Sequence, residues 1–173
     1  MEARSLSVHV ARPGFGLDAL AIRLGDSRAP TRLDVAALDG SVSSQGFSGR
    51  FEGAAGKIAA VPLLISEGGG GWRLAGSTLS LDGAIRVADA EQAAPRFNPL
   101  VANDVRLTLR NGRIDAAATL REPRSALPVA RVDVRHALSS GKGDARLDVD
   151  NLRFGKALQP EAVTPLTLGM IAN

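Results

Sequence analysis

The chain has 173 residues, 45% of them hydrophobic and 23% charged, a balance typical of a folded protein that excludes wholesale disorder. Aromatic residues make up 3% and Cys is absent, so Leu, Val, Ile and Ala must fill the apolar positions without help from disulfides. The net charge is +3, but Arg alternates with Asp, as at Arg131, Asp133 and Arg135. Nucleic-acid binders cluster their basic residues instead, so the pattern favours a solvated sheet face and disfavours nucleic-acid binding.

Alternation of apolar and polar residues dominates the chain and predicts β-strands from its first residues onward. Leu6, Val8 and Val10 begin the pattern, and turn residues then recur at intervals of roughly 8–12 residues. The same alternation returns at 20–24, 33–35, 47–51, 132–134 and 147–149. No segment shows a sustained helical period, although residues 158–163 are compatible with one short helical turn. The chain is therefore predicted to be all-β.

Two hairpins can be assigned a register from their turn residues. Asn111-Gly112 is the strongest turn signal, because both central residues of a type I′ turn need positive φ. Gly76-Ser77 is predicted to form a second tight turn. The predicted cross-strand pairs are Leu109–Ile114, Leu107–Ala116 and Val105–Ala118 in the first hairpin, and Leu74–Leu79 and Trp72–Leu81 in the second.

The remaining glycine and proline segments are predicted to lie outside the strands or at their irregularities. Gly68–Gly71 predicts a flexible turn, and the proline-bearing segments 91–99 and 122–128 predict loops. A two-residue loop at Asp82-Gly83 conflicts with the alternation, because it places Ile85 and Val87 on the face opposite to the preceding leucines. A bulge or a loop of odd length would restore the register.

The sequence shows no pattern that predicts catalysis. The two histidines, His9 and His136, lie in alternating strand patterns without a nearby nucleophile motif. Asp148, Asp150 and Asn151 lack the glycine turn and the bidentate glutamate of a calcium loop. We therefore expect no enzyme activity, no metal site and no cofactor.

The predicted strands share one apolar face, and such a face must be covered by another layer, a membrane or an apolar ligand. Two architectures satisfy this requirement. One is a closed β-sandwich in which two apolar faces meet. The other is a curved, open antiparallel sheet of many short strands whose concave face holds acyl chains. Periodicity alone does not separate them.

Several segments together resemble one known family. They are 47–58 with 61–64, 71–74 with 79–81, 95–100, 120–123, 152–155 with 158–160, and 164–166. The combination resembles the YdbH-type proteins, in the AsmA-like and TamB-related group of bridge-like lipid-transfer proteins. The resemblance covers residues 47–173, whereas the preceding residues match only in strand character.

The resemblance implies an open β-groove, or β-taco, in the periplasm that passes phospholipids between the inner and outer membranes. Residues 1–173 would form a single groove segment, a fragment of a longer envelope protein. The inner-membrane anchor would lie in a segment absent from this chain, and an outer-membrane lipoprotein would contact the missing C-terminal part. The label "dicarboxylate transport", carried by some members, is unsupported because no arginine site converges here.

Twelve apolar residues are the candidates for contact with phospholipid acyl chains. They are Phe47, Phe51, Trp72, Leu74, Leu79, Leu81, Val105, Leu107, Leu109, Ile114, Leu147 and Val149. The alternative function is a structural or adhesive β-sandwich module of an envelope protein, in which the same residues would form an ordinary core.

Overall fold

The computed structural model describes residues 7–11, 14–24, 31–58, 63–91 and 93–149, and these residues form ten strands. The predicted helical turn at 158–163 lies outside the described residues. The strands are β1 (Ser7–Ala11), β2 (Gly14–Leu24), β3 (Thr31–Ser43), β4 (Gly46–Ile58), β5 (Leu63–Ala75), β6 (Thr78–Asp89), β7 (Leu100–Arg110), β8 (Arg113–Arg121), β9 (Pro128–Ala137) and β10 (Lys142–Asp148).

All ten strands belong to one antiparallel sheet in which the order in space follows the order in sequence. Among the described residues, substantial contacts are confined to consecutive strands and β1 does not pair with β10, so the sheet that they form is not closed. No second layer of strands packs on it within the described residues. The predicted open all-β sheet is therefore confirmed, and the closed sandwich is not what this part of the chain forms.

The Asn111-Gly112 hairpin has the predicted register near its turn. Leu109 lies opposite Ile114 and Leu107 opposite Ala116, and both turn residues have positive φ. The predicted third pair does not form, because the ladder shifts register between Val101 and Arg106. At the shift the Thr119 N–H donates to the Asp104 carboxylate at 2.9 Å, so a side chain takes the place of a backbone acceptor. This bond lowers the pKa of Asp104.

The Gly76-Ser77 turn is also confirmed, with Leu74 opposite Leu79 and Trp72 opposite Leu81. Gly76 has a φ of 57°, a conformation that a glycine adopts without steric cost.

The glycine run of β5 and the Asp82-Gly83 pair of β6 do not form turns, and the prediction for Gly68–Gly71 is wrong. Both segments lie inside long strands, with Gly70 directly opposite Gly83. A Cβ on Gly70 would lie 1.9 Å from the Asp82 carbonyl oxygen, so the two backbones approach more closely than other residues allow. The glycines therefore allow the two strands to pack closely. The break in the apolar alternation after Asp82-Gly83 marks a bulge between Gly83 and Ile85.

A line of irregularities, which we call the bulge line, crosses the sheet near the middle of its strands. The backbone has positive φ at Ala19, Gly53 and Glu67, in β2, β4 and β5. Register shifts occur at 51–56 in β4, 66–69 in β5, 83–85 in β6 and 101–106 in β7. Because bulges bend a strand and increase its local twist, this line bends the sheet.

The bulges also keep one face apolar along the whole length of the strands. In β7 the apolar face passes from Val105 to Ala102, a step of three residues. Their partners in β6, Gly83 and Ile85, are two residues apart and thus point to the same side. Without the extra residue in β7, its apolar positions beyond the bulge would point to the solvated face.

Burial is concentrated beside this line. The buried apolar residues are Val35, Ala54, Val87, Ala102 and Ala130, with exposures from 0% for Ala102 to 7% for Ala130. A flat single layer would leave one face of such residues open to solvent. Their burial is what a bend towards the apolar face produces, because it brings side chains of neighbouring strands together.

A glycine substitution tests the strain at the bulge line. Glu67 has a φ of 53°, a conformation that costs a residue with a Cβ roughly 1 kcal/mol. We expect Glu67→Gly to leave the free energy of unfolding unchanged or raise it by up to about 1 kcal/mol. The control Glu52→Gly, at an exposed β4 position without positive φ, should lower it by about 0.5–1 kcal/mol. If denaturant titrations showed that both variants lose the same free energy of unfolding, the backbone at Glu67 would not be strained.

Candidate functional site

Eleven of the twelve predicted contact residues lie on one face of the sheet, ten of them in three adjacent cross-strand rows. The row nearest the tight turns contains Phe47, Leu74, Leu79, Leu109 and Ile114, the next contains Trp72, Leu81 and Leu107, and the third contains Phe51 and Val105. Leu147 lies on the same face, opposite Val132 of β9. Val149 follows the end of β10, two residues beyond Leu147. The structure therefore brings the predicted set together, and we call this face the apolar face.

None of the twelve residues is buried. Phe47 is 42% exposed and Leu147 40%, and the others are half-buried. In the closed core that was the alternative prediction, such side chains would be almost fully covered. From β2 to β10 the apolar face is thus a contiguous hydrocarbon surface, eight strand spacings or about 38 Å across.

Two aromatic rings lie across a pair of glycines on the apolar face. Gly40 of β3 and Gly49 of β4 are direct partners, between Phe15 on one side and Trp72 on the other. The ring centroids of Phe15 and Trp72 are 6.1 Å apart, although their strands are separated by about 14 Å. The Trp72 indole N–H donates to the Asp39 carbonyl at 2.8 Å, which fixes the ring over the glycines.

The structure adds residues that the sequence reasoning missed. On the far side of the bulge line, the register places further apolar side chains on the same face. They include Leu33, Val35, Ile65, Ile85, Val87, Leu100 and Ala102. They were missed because each bulge changes the phase of the alternation. The only warning in the sequence was the mismatch at Asp82-Gly83.

Two ionisable side chains interrupt the apolar face within the described strands. His136 is half-buried in the row nearest the tight turns, between Ile114 and Gly143. Asp89 is the last residue of β6, at the strand ends that lie away from the tight turns, and it is only 1% exposed. Within the described strands, ionisable side chains therefore occur on the apolar face only near the strand ends.

Asp89 organises the loop that connects β6 to β7. Its carboxylate accepts hydrogen bonds from the backbone N–H groups of Glu91 at 2.9 Å and Arg96 at 2.8 Å. The Arg96 guanidinium adds a bidentate ion pair, in which Nε lies 2.7 Å from the Asp89 carboxylate. These bonds hold the pKa of Asp89 well below its usual range, with Arg96 the largest influence and burial acting in the opposite direction. The predicted loop at 91–99 is thus tied to the sheet edge.

The opposite face of the sheet is hydrophilic. Arg106 lies opposite Asp82, and Arg135 opposite Asp115 with 4.0 Å between the charged groups. A cavity of about 680 Å³ on this face is lined mainly by charged residues of β9 and β10 such as Arg131 and Asp144. A charged lining does not suit hydrocarbon, so the apolar ligand surface is the other face.

The described residues contain no cluster of three or more His, Asp or Glu side chains arranged to hold a metal ion.

No helix with the length and hydropathy of a membrane span occurs among the described residues.

The described sheet is a single layer whose apolar face has no second layer on it, and exposed apolar surface of this extent is typical of proteins that bind an apolar ligand, a membrane or a partner. The chain belongs to the YdbH-like family, whose model is described as "Intermembrane phospholipid transport protein YdbH" and matches residues 1–173. The match includes the N-terminal residues that resembled the family only in strand character. This is a family of lipid transport proteins and not an enzyme class, and it implies lipid binding and a periplasmic, envelope-associated location. No curated protein and no solved structure shows a significant match to the chain.

The Asp89–Arg96 pair can be tested by Asp89→Asn. Since the Arg96 side chain is 24% exposed, we expect the substitution to lower the free energy of unfolding by about 2–3 kcal/mol, less than for a fully buried pair. Because the pKa of Asp89 is lowered in the folded state, its contribution is present above the unfolded pKa of about 4 and falls at lower pH. The difference between wild type and variant should therefore shrink below about pH 4. Asp82→Asn, at an exposed carboxylate, should cost at most about 0.5 kcal/mol, and an equal cost for both variants would refute the assignment.

Proposed function

We propose that this chain forms a segment of a hydrophobic β-groove that bridges the inner and outer membranes and passes phospholipids between them without catalysis. The observation that carries the proposal is the apolar face, which is continuous from β2 to β10 and uncovered within the described residues. The family supports transport of phospholipids between membranes, and the open sheet supplies a surface for their acyl chains.

The mechanism is passive. Acyl chains lie on the apolar face, where each buried methylene contributes about 0.8 kcal/mol, and headgroups stay at the edges in water. Because similar apolar side chains recur from strand to strand, a lipid that advances by one strand exchanges one set of contacts for an equivalent set. Movement along the groove then needs no large change in binding free energy.

The twelve predicted contact residues are assigned to this groove, together with the apolar residues beyond the bulge line. The proposal includes an anchor to the inner membrane and a contact with a small outer-membrane lipoprotein. An adhesive β-sandwich module would need a second layer on the apolar face, which the described sheet does not have.

Trp72 is the single tryptophan of the chain and therefore reports on lipid contact directly. It lies on the apolar face, so phospholipid brominated on its acyl chains should quench the fluorescence of the folded protein. The same phospholipid without bromine is the control and should leave the intensity unquenched. Unchanged fluorescence with saturating brominated lipid would count against acyl-chain binding on this face.

A charge placed on the apolar face should block lipid without unfolding the sheet. Leu107 is half-buried opposite Leu81, and we expect Leu107→Asp to abolish most co-purifying phospholipid while lowering the unfolding free energy by only about 1–2 kcal/mol. The control Ser80→Asp places the same charge on the other face, opposite Arg73, and should retain the lipid.

Lipid content is measured by mass spectrometry and folding by circular dichroism. Unfolding of Leu107→Asp alone would indicate a closed core. Equal lipid content in both variants would argue against the groove.

A further inference from the structure

Cross-strand pairing on the hydrophilic face sets opposite charges against each other in the interior of the sheet. In several rows away from the tight turns, arginine lies opposite aspartate. The pairs include Arg50–Asp39, Arg106–Asp82, Arg135–Asp115 and Arg146–Asp133. Such pairs help to specify register, because like charges directly opposite each other are destabilising.

The outermost rows do not follow this pattern. At the tight-turn edge Arg110 lies directly opposite Arg113, and Lys142 belongs to the same row beyond Ala137. We call Arg110, Arg113 and Lys142 the basic rim. At the other edge of the sheet a second row places Arg23, Arg32 and Lys57 side by side.

The two rows differ in how their charges are balanced. Arg32 forms an ion pair with Asp34 at 2.8 Å. The three side chains of the basic rim are exposed, and among the described residues no carboxylate forms an ion pair with them. The next row of that face holds two acids, Asp115 and Asp144, and both lie opposite Arg135. The basic rim thus places like charges together, and none of them has an ion-pair partner among the described residues.

The basic rim borders the apolar face at the tight-turn ends of the strands. Leu109 precedes Arg110 and Ile114 follows Arg113, so the backbones of the charged row and of the first apolar row are one residue apart, about 3.4 Å, while their side chains point to opposite faces of the sheet. Because the rim lies at the strand ends, its long arginine and lysine side chains can reach around the turns towards the boundary of the apolar face. An amphiphile with its tails on the apolar face would have its polar group at this rim.

We propose that the basic rim binds the phosphate of phospholipids whose acyl chains lie on the apolar face, and so holds the headgroups at the tight-turn edge of β7–β10. The proposal rests on the proposed function for the tails, and it adds a headgroup site. Its specificity is for the phosphodiester anion, because a guanidinium presents paired donors that match two phosphate oxygens.

The test compares two brominated lipids by quenching of Trp72 in the full chain: phosphatidylglycerol, and diacylglycerol with the same acyl chains but no phosphate. We expect the double variant Arg110→Gln/Arg113→Gln to weaken phosphatidylglycerol binding about three- to tenfold and to leave diacylglycerol binding unchanged. The matched control Arg106→Gln/Arg135→Gln removes the same charge from interior rows and should bind both lipids like wild type. Added salt should reduce the difference between wild type and rim variant.

Each outcome either supports or overturns the headgroup site at the basic rim. Equal phosphatidylglycerol affinity in wild type and rim variant overturns the headgroup site while leaving the apolar face intact. Equal weakening in the control variant shows a general effect of net charge and also overturns it. Inorganic phosphate at matched ionic strength should not displace the lipid, and if it does so at millimolar concentration the rim is a site for free anions. Absence of quenching by both lipids in wild type rejects the proposed function itself.

Discussion

The structure depends on one constraint: the backbone ladder must continue through ten strands while every strand keeps its apolar side chains on the same face. Side chains alternate strictly along a strand, so a single extra residue would turn all later apolar positions towards water. The bulge line resolves this conflict, because extra residues occur where the apolar sequence itself changes phase, as between Val105 and Ala102. The bend of the sheet and the continuity of its apolar face therefore have the same cause.

A second consequence is that little of the apolar surface is buried by the fold itself. Ala102 and Val87 are covered, whereas the leucines of β6 and β7 near the tight turns remain half-buried. Stability then depends strongly on backbone pairing, on tight turns and on local ties such as the bonds from Asp89 to its loop. An apolar ligand on the open face would supply burial that a second layer supplies in a sandwich, which links lipid occupancy to stability.

The two faces divide the physical tasks. The hydrophilic face carries alternating Arg and Asp whose cross-strand pairing helps to set register, as Arg106 does opposite Asp82. Within the described strands, the apolar face carries ionisable groups only near the strand ends, at His136 and Asp89. This separation suits an amphiphile whose tails need a dry, uncharged surface and whose polar group stays at the boundary with water. Membership of a phospholipid transport family is consistent with that division of the surface.

Local sequence determined the strand character, the tight turns at Gly76-Ser77 and Asn111-Gly112, and the shared face of the predicted contact residues, because these follow from φ preferences and a period of two. It did not determine that Gly68–Gly71 continues a strand, since that depends on how closely Gly70 approaches Gly83 across the sheet. Periodicity is also the same for a sealed core and an open groove. Only the tertiary structure decided between them, because it shows which strands contact one another and that the described apolar face has no second layer.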